Sequence, residues 1–215
     1  MIMKNLLEIR KEYMLAALDE VHTQAHPIDQ FKIWFGEALK ASVPEPNAMM
    51  LATVNEQGQP SARIVLVREI EESGLGFYTN YNSHKGQDLE VNPKAALTFF
   101  WPDLERQVRF EGLIQKQRRE VTEKYFAQRP RGSQIGAWSS PQSQKIESRH
   151  VLSENEQNYE REFEGKEVPC PPNWGGYLMR IHFAEFWQGR ENRLHDRICF
   201  ELNGEGFWEK FRKAP

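Results

Sequence analysis

Cysteine is scarce in this chain: Cys170 and Cys199 are the only two among 215 residues. Neither sits in a CxxC or Cys/His spacing, which argues against a zinc site and against a disulfide framework. No apolar stretch approaches the ~20 residues that a membrane-crossing helix needs. The opening MIMKNLLEIRKEYMLAALDE is studded with charge and has no signal-peptide core, so a cytoplasmic, soluble protein is the expectation. A basic excess is missing too. The net charge of −3 argues against a general nucleic-acid binder, because such proteins release counterions through surplus lysine and arginine. Any basic cluster is therefore local and suited to a small anion. GxSxG, the P-loop and GxGxxG are absent, and no carboxylate pair is placed for glycosidase work. Internal repeats, low-complexity tracts and a clear domain boundary are lacking as well.

What the chain does have is aromatic weight and several local groupings of bases with hydroxyls. Aromatics make up 12% of it, with six tryptophans, which suits a well-packed globular protein. The stretch Arg63–Gly86, RIVLVREIEESGLGFYTNYNSHKG, organises the rest. Ile64-Val65-Leu66-Val67 reads as a strand with a base at each end, Arg63 and Arg68. Glu71–Gly74 reads as a turn and Leu75–Tyr81 as a second strand, which predicts a hairpin. Asn82 or Ser83 then caps a helix that Pro93 stops. Its first turn carries His84 and Lys85, the wrong charge for a helix N-terminus by ~0.3–1 kcal/mol each when ionised. An anion held there reverses that sign, and Arg63 is placed to join it. Two readings stand: a phosphate site at the end of a hairpin, or a solvated basic turn beside a surface helix.

In chain order, Lys4–Val21 shows helical apolar spacing at Leu6, Ile9, Tyr13 and Ala17. Ile28–Ala41 predicts a second helix, and Met49–Val54 a short strand. Ala95–Trp101 is apolar on both faces and reads as a central strand, followed by a strand over Arg106–Gln115. Arg118–Gln128 predicts a helix ended by Pro130. Tyr125 and Arg129 share a face at its end, with Ser133 in the glycine-containing loop beyond. These three make either an oxyanion clamp or an ordinary basic helix terminus. Gly136–Gln144 reads as an irregular loop. Ser153 and Glu156 suggest a capping box for a helix through Phe163, and Tyr177–Gln188 a long strand. In Gly189–Arg197 an extended chain points Arg193, His195 and Arg197 to one face, giving either a charged edge strand or a binding face. Ile198–Leu202 and Phe207–Phe211 close a final hairpin. Short connections make the strands antiparallel. The expected fold is mainly β with peripheral helices, an antiparallel Greek-key barrel in one domain over residues 1–215, with N-terminal helices over 1–45. Separate base-plus-hydroxyl clusters suit two phosphorylated aromatic molecules, a cofactor and a substrate.

At this point the residues carry a resemblance. The chain is similar to the pyridoxamine (pyridoxine) 5′-phosphate oxidases through RKEY, MLATV, RIVLVR, FYTNYNSHKG, ERQVRFEG, YFAQRPRGSQIGAW with PQSQKIESR, PPNWGGY, EFWQG and RLHDR, in the family's order over nearly the whole chain. The resemblance implies a split β-barrel, a homodimer, and FMN bound at the subunit interface. It implies that Arg63 and Lys85 hold the FMN phosphate with His84 beside them, along the strand that continues through Ile64, Val65, Leu66, Val67 and Arg68. Tyr78, Thr79 and Gln107 would line the flavin, and Gln142, Ser143, Trp187 and Arg197 would reach it from the partner chain. Arg68, Tyr125, Arg129 and Ser133 would clamp the substrate phosphate. Arg193, Leu194 and His195 would cover the substrate ring, with Arg193 and His195 as the catalytic candidates, and Arg10 and Tyr13 would form a lid.

The implied reaction oxidises pyridoxamine or pyridoxine 5′-phosphate by O2 to pyridoxal 5′-phosphate, with H2O2 and, from the amine, ammonia as by-products. Four positions depart from the usual pattern, among them Lys213 where leucine is usual and Ile181 where proline is common. Arg68 replaces a lysine, a planar fork in place of a compact ammonium, and His84 replaces an arginine. Two other functions compete: a non-catalytic FMN or pyridoxal-phosphate binder on the same barrel, and a flavin reductase using a nicotinamide donor. A carrier has no need of Arg193 and His195 together. A reductase has no need of the Tyr125/Arg129/Ser133 clamp.

Overall fold

The computed structural model describes residues 13–215. Nine strands and five α-helices follow one another along them. They are α1 (Pro27–Lys40), β1 (Ala48–Val54), β2 (Pro60–Leu66), β3 (Glu69–Glu71), β4 (Gly74–Asn80), α2 (His84–Val91), β5 (Lys94–Trp101), β6 (Arg106–Lys116), α3 (Arg119–Ala127), α4 (Arg131–Ser139), α5 (Arg149–Glu162), β7 (Trp174–Gln188), β8 (Asp196–Leu202) and β9 (Trp208–Arg212). The strands are hydrogen-bonded in the order β2-β1-β5-β6-β7-β4-β3, and β8 and β9 continue from β7. The pairings β3–β4, β4–β7, β7–β8 and β8–β9 are antiparallel.

The chain divides into two compact units. The first holds Met50–Ala96 and Gly112–Ile181. Here β2 and β3 stand at opposite ends of the strand order, yet only Val67 and Arg68 separate them along the chain. Such a link spans on the order of 10 Å, so the sheet curls until its ends meet. Arg68 N donates to Gly76 O at 2.8 Å, tying the link to β4. The expected hairpin between Ile64–Val67 and Leu75–Tyr81 is therefore corrected. The hairpin is β3–β4, with Glu69 opposite Gly76, and β2 pairs with β1 instead. Glu69-Ile70-Glu71 is too short and too acidic to announce itself as a strand against the β-branched run before it. Under α3, α4 and α5 lies a small core of Phe126, Ile135, Phe163, Val168 and Trp174.

The second unit comprises the described residues up to Met49, with Leu97–Glu111 and His182–Pro215. Its core is aromatic. Pro27 opens α1, where its missing N–H costs nothing, and the helix places Phe31 4.8 Å from Phe99 and 5.2 Å from Phe110 between ring centroids. Trp34 meets Phe186 edge-on at 5.3 Å. Phe31 is completely buried, so Phe31→Ala should destabilise the protein by about 3–5 kcal/mol, read from urea unfolding. A loss below about 1 kcal/mol would mean that this cluster is not the core.

Several local expectations are corrected. Residues 13–19 are not helical, and the rest of the expected Lys4–Val21 helix lies mostly outside the described residues. The N–H groups that a helix would use go elsewhere: Met14 and Leu15 donate to the Glu105 carboxylate at 2.9 and 3.1 Å, and Leu18 to Asp196 at 3.0 Å. These long-range acceptors are invisible to local periodicity. Ser133 and Gly136 lie in α4, not in a loop. The cap of α5 is Ser148, whose hydroxyl accepts from His150 N, and Ser153 sits inside the helix. Strand β7 starts three residues earlier than expected, at Trp174.

Candidate active site

Strand β4 delivers the first cluster. At its end Ser83 caps α2, its hydroxyl accepting from Gly86 N. A side chain at Gly86 would put its Cβ 2.1 Å from Tyr81 O, so only glycine lets the turn close here. Lys85 then points back. Its Nζ donates to Gln142 Oε1 at 3.1 Å, Thr79 Oγ1 at 3.2 Å and Ser83 Oγ at 3.3 Å. Arg63 on β2 donates from Nη1 to Thr53 Oγ1 at 2.7 Å and to Leu51 O at 3.3 Å, and from Nη2 to Ser61 Oγ. Burial holds the Lys85 ammonium below the usual lysine value, and Arg63's charge adds to the effect. Burial likewise lowers Arg63, against the pull of Asp88. Two desolvated cations that repel each other are a site prepared for an anion. His84 stands exposed, with Nε2 3.5 Å from Asp88 Oδ1.

The second cluster surrounds Trp174. Tyr78 and Tyr125 stack with centroids 3.9 Å apart, and Tyr125 lies parallel to Trp174 at 6.3 Å. Arg129 spreads over Trp174 with Cζ 4.6 Å from the ring. Its Nη1 is buried with no hydrogen-bond partner among the described residues. Burial lowers the Arg129 pKa, and Arg68's charge lowers it further. An orphaned buried N–H of a cation is costly unless an acceptor arrives. Arg129, Ser133 and Gln142 line one cavity of about 230 Å³ together with Asn80, Gly136, Ala137, Ser140 and Trp174. Trp174 is itself pinned, since Arg119 grips Cys170 O, Pro171 O and Trp174 O at 2.6, 2.9 and 3.3 Å.

In the second unit, Tyr13, Trp187 and His195 form an aromatic trio, with Trp187 and His195 4.6 Å apart. The expected extended run over Gly189–Arg197 is corrected. Glu191–Arg193 is a 3-10 turn in which Asn192 and Arg193 have φ of 55° and 62°. Arg193 is thus held in the left-handed region, an uncommon state for arginine that clusters at functional sites. Arg197 is not left to repel its neighbours, because its Nη2 pairs with buried Glu185 at 2.8 Å. Arg109 reaches the same carboxylate at 3.2 Å. Cross-strand acids such as Glu185 cannot be seen until register is known.

His195 Nδ1 accepts from Arg190 N at 3.1 Å, which leaves the ring proton on Nε2. Burial, with Arg193's charge, holds the ring's pKa below the usual 6.5. In the window below 6.5 the unfolded chain takes up the proton first, so this residue's contribution to stability falls as pH falls through it. An NMR titration of the His195 ring should show a midpoint under 6.5; a midpoint above it would mean that neither burial nor Arg193's charge governs the ring.

Of the other expected residues, Ile64 is 65% exposed, Val67 is buried, and Val65 and Leu66 are half-buried. Arg68 and Leu194 are exposed, and Gln107 is half-buried on β6. Ser143 is exposed at φ 70°. Gln142 meets Lys85 and Thr79 within one chain. Arg10 lies outside the described residues.

Comparison with known proteins decides the family. Residues 35–155 match the family model described as pyridoxamine 5′-phosphate oxidase. Residues 174–215 match the model for the pyridoxine 5′-phosphate oxidase C-terminal dimerisation region. The chain belongs to the pyridoxamine 5′-phosphate oxidase family. It is 51% identical to a pyridoxine/pyridoxamine 5′-phosphate oxidase of Cupriavidus necator, over 99% of this chain and all of that one. With its counterpart in Leptospira interrogans it shares 52% identity over 97% of both chains. Among solved structures, PhzG of Burkholderia lata superimposes with a TM-score of 0.88 at 27% identity, covering 94% of this chain and 99% of that one. An FMN-binding, oxidase-related protein of Nostoc punctiforme, 18% identical, matches in fold with a TM-score of 0.69 over 86% of this chain and 97% of that one. The fold is thus the split β-barrel, and the chain is an FMN-dependent oxidoreductase by family, as the motifs led us to expect.

The two clusters fit phosphorylated ligands of the kind the family name implies. Their donors are cations and hydroxyls, and Arg129 Nη1 lacks an acceptor among the described residues. Sequence reasoning missed Trp174 as the floor of the second cluster and Glu69, which accepts from the Tyr78 hydroxyl. It also missed Asp88 beneath the first cluster. The i, i+4 spacing of His84 and Asp88 was the one available signal for Asp88.

Proposed function

We propose that this protein oxidises pyridoxamine 5′-phosphate or pyridoxine 5′-phosphate to pyridoxal 5′-phosphate, with FMN as cofactor and O2 as acceptor, as a homodimer with FMN at the subunit interface. The observation that carries the reading is the pairing of two separate cation-and-hydroxyl clusters in the first unit, one around Lys85 and one around Arg129. The names of the relatives and the dimerisation region support it. FMN, when bound, supplies two-electron acceptance and reoxidation by O2.

The chain's own residues position and complement charge. Arg63 and Lys85, with Thr79 and His84, would hold the flavin phosphate. Val65, Tyr78, Gln142 and Ser143 would line the flavin, with Trp187 and Arg197 reaching it from the partner chain. Arg129 would donate its free Nη1 to the substrate phosphate, with Arg68, Tyr125 and Ser133 around it. His195 presents an Nε2 proton donor whose orientation the Arg190 N–H fixes. Arg193, held in its left-handed turn, would bring a permanent cation to the same substrate.

The test is to give the purified protein pyridoxamine 5′-phosphate in air and to follow pyridoxal phosphate and peroxide. Stoichiometric formation of both is expected. Bound flavin without turnover would turn the reading into a carrier, and reduction only by a nicotinamide would turn it into a reductase.

A further inference from the structure

The phosphate reading uses Arg63 but leaves a buried acid beside it without a role. Asp88 on α2 is only 3% exposed. A carboxylate so close to an anion site should repel the ligand, so its presence calls for a reason. Its contacts supply one. Thr53 Oγ1 donates to Asp88 Oδ2 at 2.6 Å and Ser61 Oγ donates to the same oxygen at 3.3 Å. The nearest Arg63 nitrogen is 3.8 Å from it, beyond hydrogen-bond reach. Arg63 therefore meets Asp88 through the two hydroxyls.

The direction at each end of this relay is fixed by chemistry. A guanidinium only donates and a carboxylate only accepts. Each hydroxyl has a single proton: Thr53 gives its own to Asp88 at 2.6 Å, Ser61 has Asp88 at 3.3 Å and Thr53 at 3.4 Å as acceptors, and both turn a lone pair toward Arg63. Nη1 donates to Thr53 at 2.7 Å and Nη2 to Ser61. One acid thus orients two hydroxyls, and they grip both terminal nitrogens of one guanidinium. Asp88 also stands 3.5 Å from His84 Nε2, at the first turn of the same helix.

We infer that Asp88 is a positioning residue for anion binding: through Thr53 and Ser61 it sets the plane in which Arg63 meets a phosphate. This deepens the FMN reading and rests on it. The two possible roles of Asp88 have opposite signs. As a bare negative charge it weakens phosphate binding, so its removal tightens FMN. As the anchor of the relay it strengthens binding, so its removal loosens FMN.

The experiment measures FMN and riboflavin dissociation constants of the apo-protein by flavin fluorescence, with circular dichroism to show that each variant is folded. Asp88→Asn and Thr53→Val, both close in shape to the native residues, should each weaken FMN about tenfold. The double variant should add little, since both changes break one chain of bonds. Thr53→Ser keeps the hydroxyl and should stay within about twofold of the native affinity. Riboflavin, which has no phosphate, should bind all variants alike. Unchanged or tighter FMN binding in Asp88→Asn would overturn the relay while leaving the phosphate reading intact. Native protein that binds riboflavin as well as FMN would overturn that reading and the relay with it.

Discussion

Arg129→Met should make the protein more stable and, at the same time, a far poorer catalyst. The buried Nη1 of Arg129 has no partner among the described residues, and burial already pushes the guanidinium below its usual pKa. A desolvated cation without acceptors destabilises the fold, and an apolar residue of similar length removes that cost. Methionine keeps a soft contact with Trp174, partly replacing the cation–π contact at 4.6 Å. The net gain should be about 1 kcal/mol, or about 2–4 °C in melting temperature for a chain of this size. Substrate affinity moves the other way. Loss of a charge-assisted grip on a phosphate should raise KM about a hundredfold, with FMN retained. Thermal unfolding and steady-state kinetics on one preparation measure both. A variant that melts lower and keeps its KM would show that Arg129 is a structural residue.

Lys85→Met should strip the flavin. All three hydrogen-bond acceptors around Lys85 Nζ are neutral, and Arg63 opposes its charge. Among the described residues the ammonium is thus held without a carboxylate partner of its own. A phosphate that supplies the missing charge gains correspondingly. The variant should purify colourless, with FMN affinity reduced about a hundredfold and an unaltered circular dichroism spectrum. Yellow protein at native occupancy would remove Lys85 from the site.

Much of this was legible from residue order alone, and the failures have one common cause. Strong local signals gave β1, β5, β6, α1 and the Ser83 cap, because periodicity and capping chemistry act over a few residues. The grouping of His84 and Lys85 in a helix's first turn pointed to an anion site, one of the two readings that the residues alone left open. What the residues alone did not reveal depends on partners far along the chain. Glu105 draws residues 14 and 15 out of the expected helix from some 90 positions away. Glu185 neutralises Arg197 across a strand pair. The short β3 is a strand only because β4 is there to pair with it. Asp88 looked like an ordinary polar helix residue until Thr53 and Ser61 were placed over it.

The most direct measurement is 31P NMR of the native protein under argon, loaded with FMN and pyridoxine 5′-phosphate. Two bound phosphorus signals should appear, each displaced from its free ester. Arg129→Met should return the substrate signal alone to its free position, and Lys85→Met should release that of the flavin. Phosphorus signals that stay at their free positions in the native protein, or that Arg129→Met shifts together, would contradict two separate phosphate grips on one barrel.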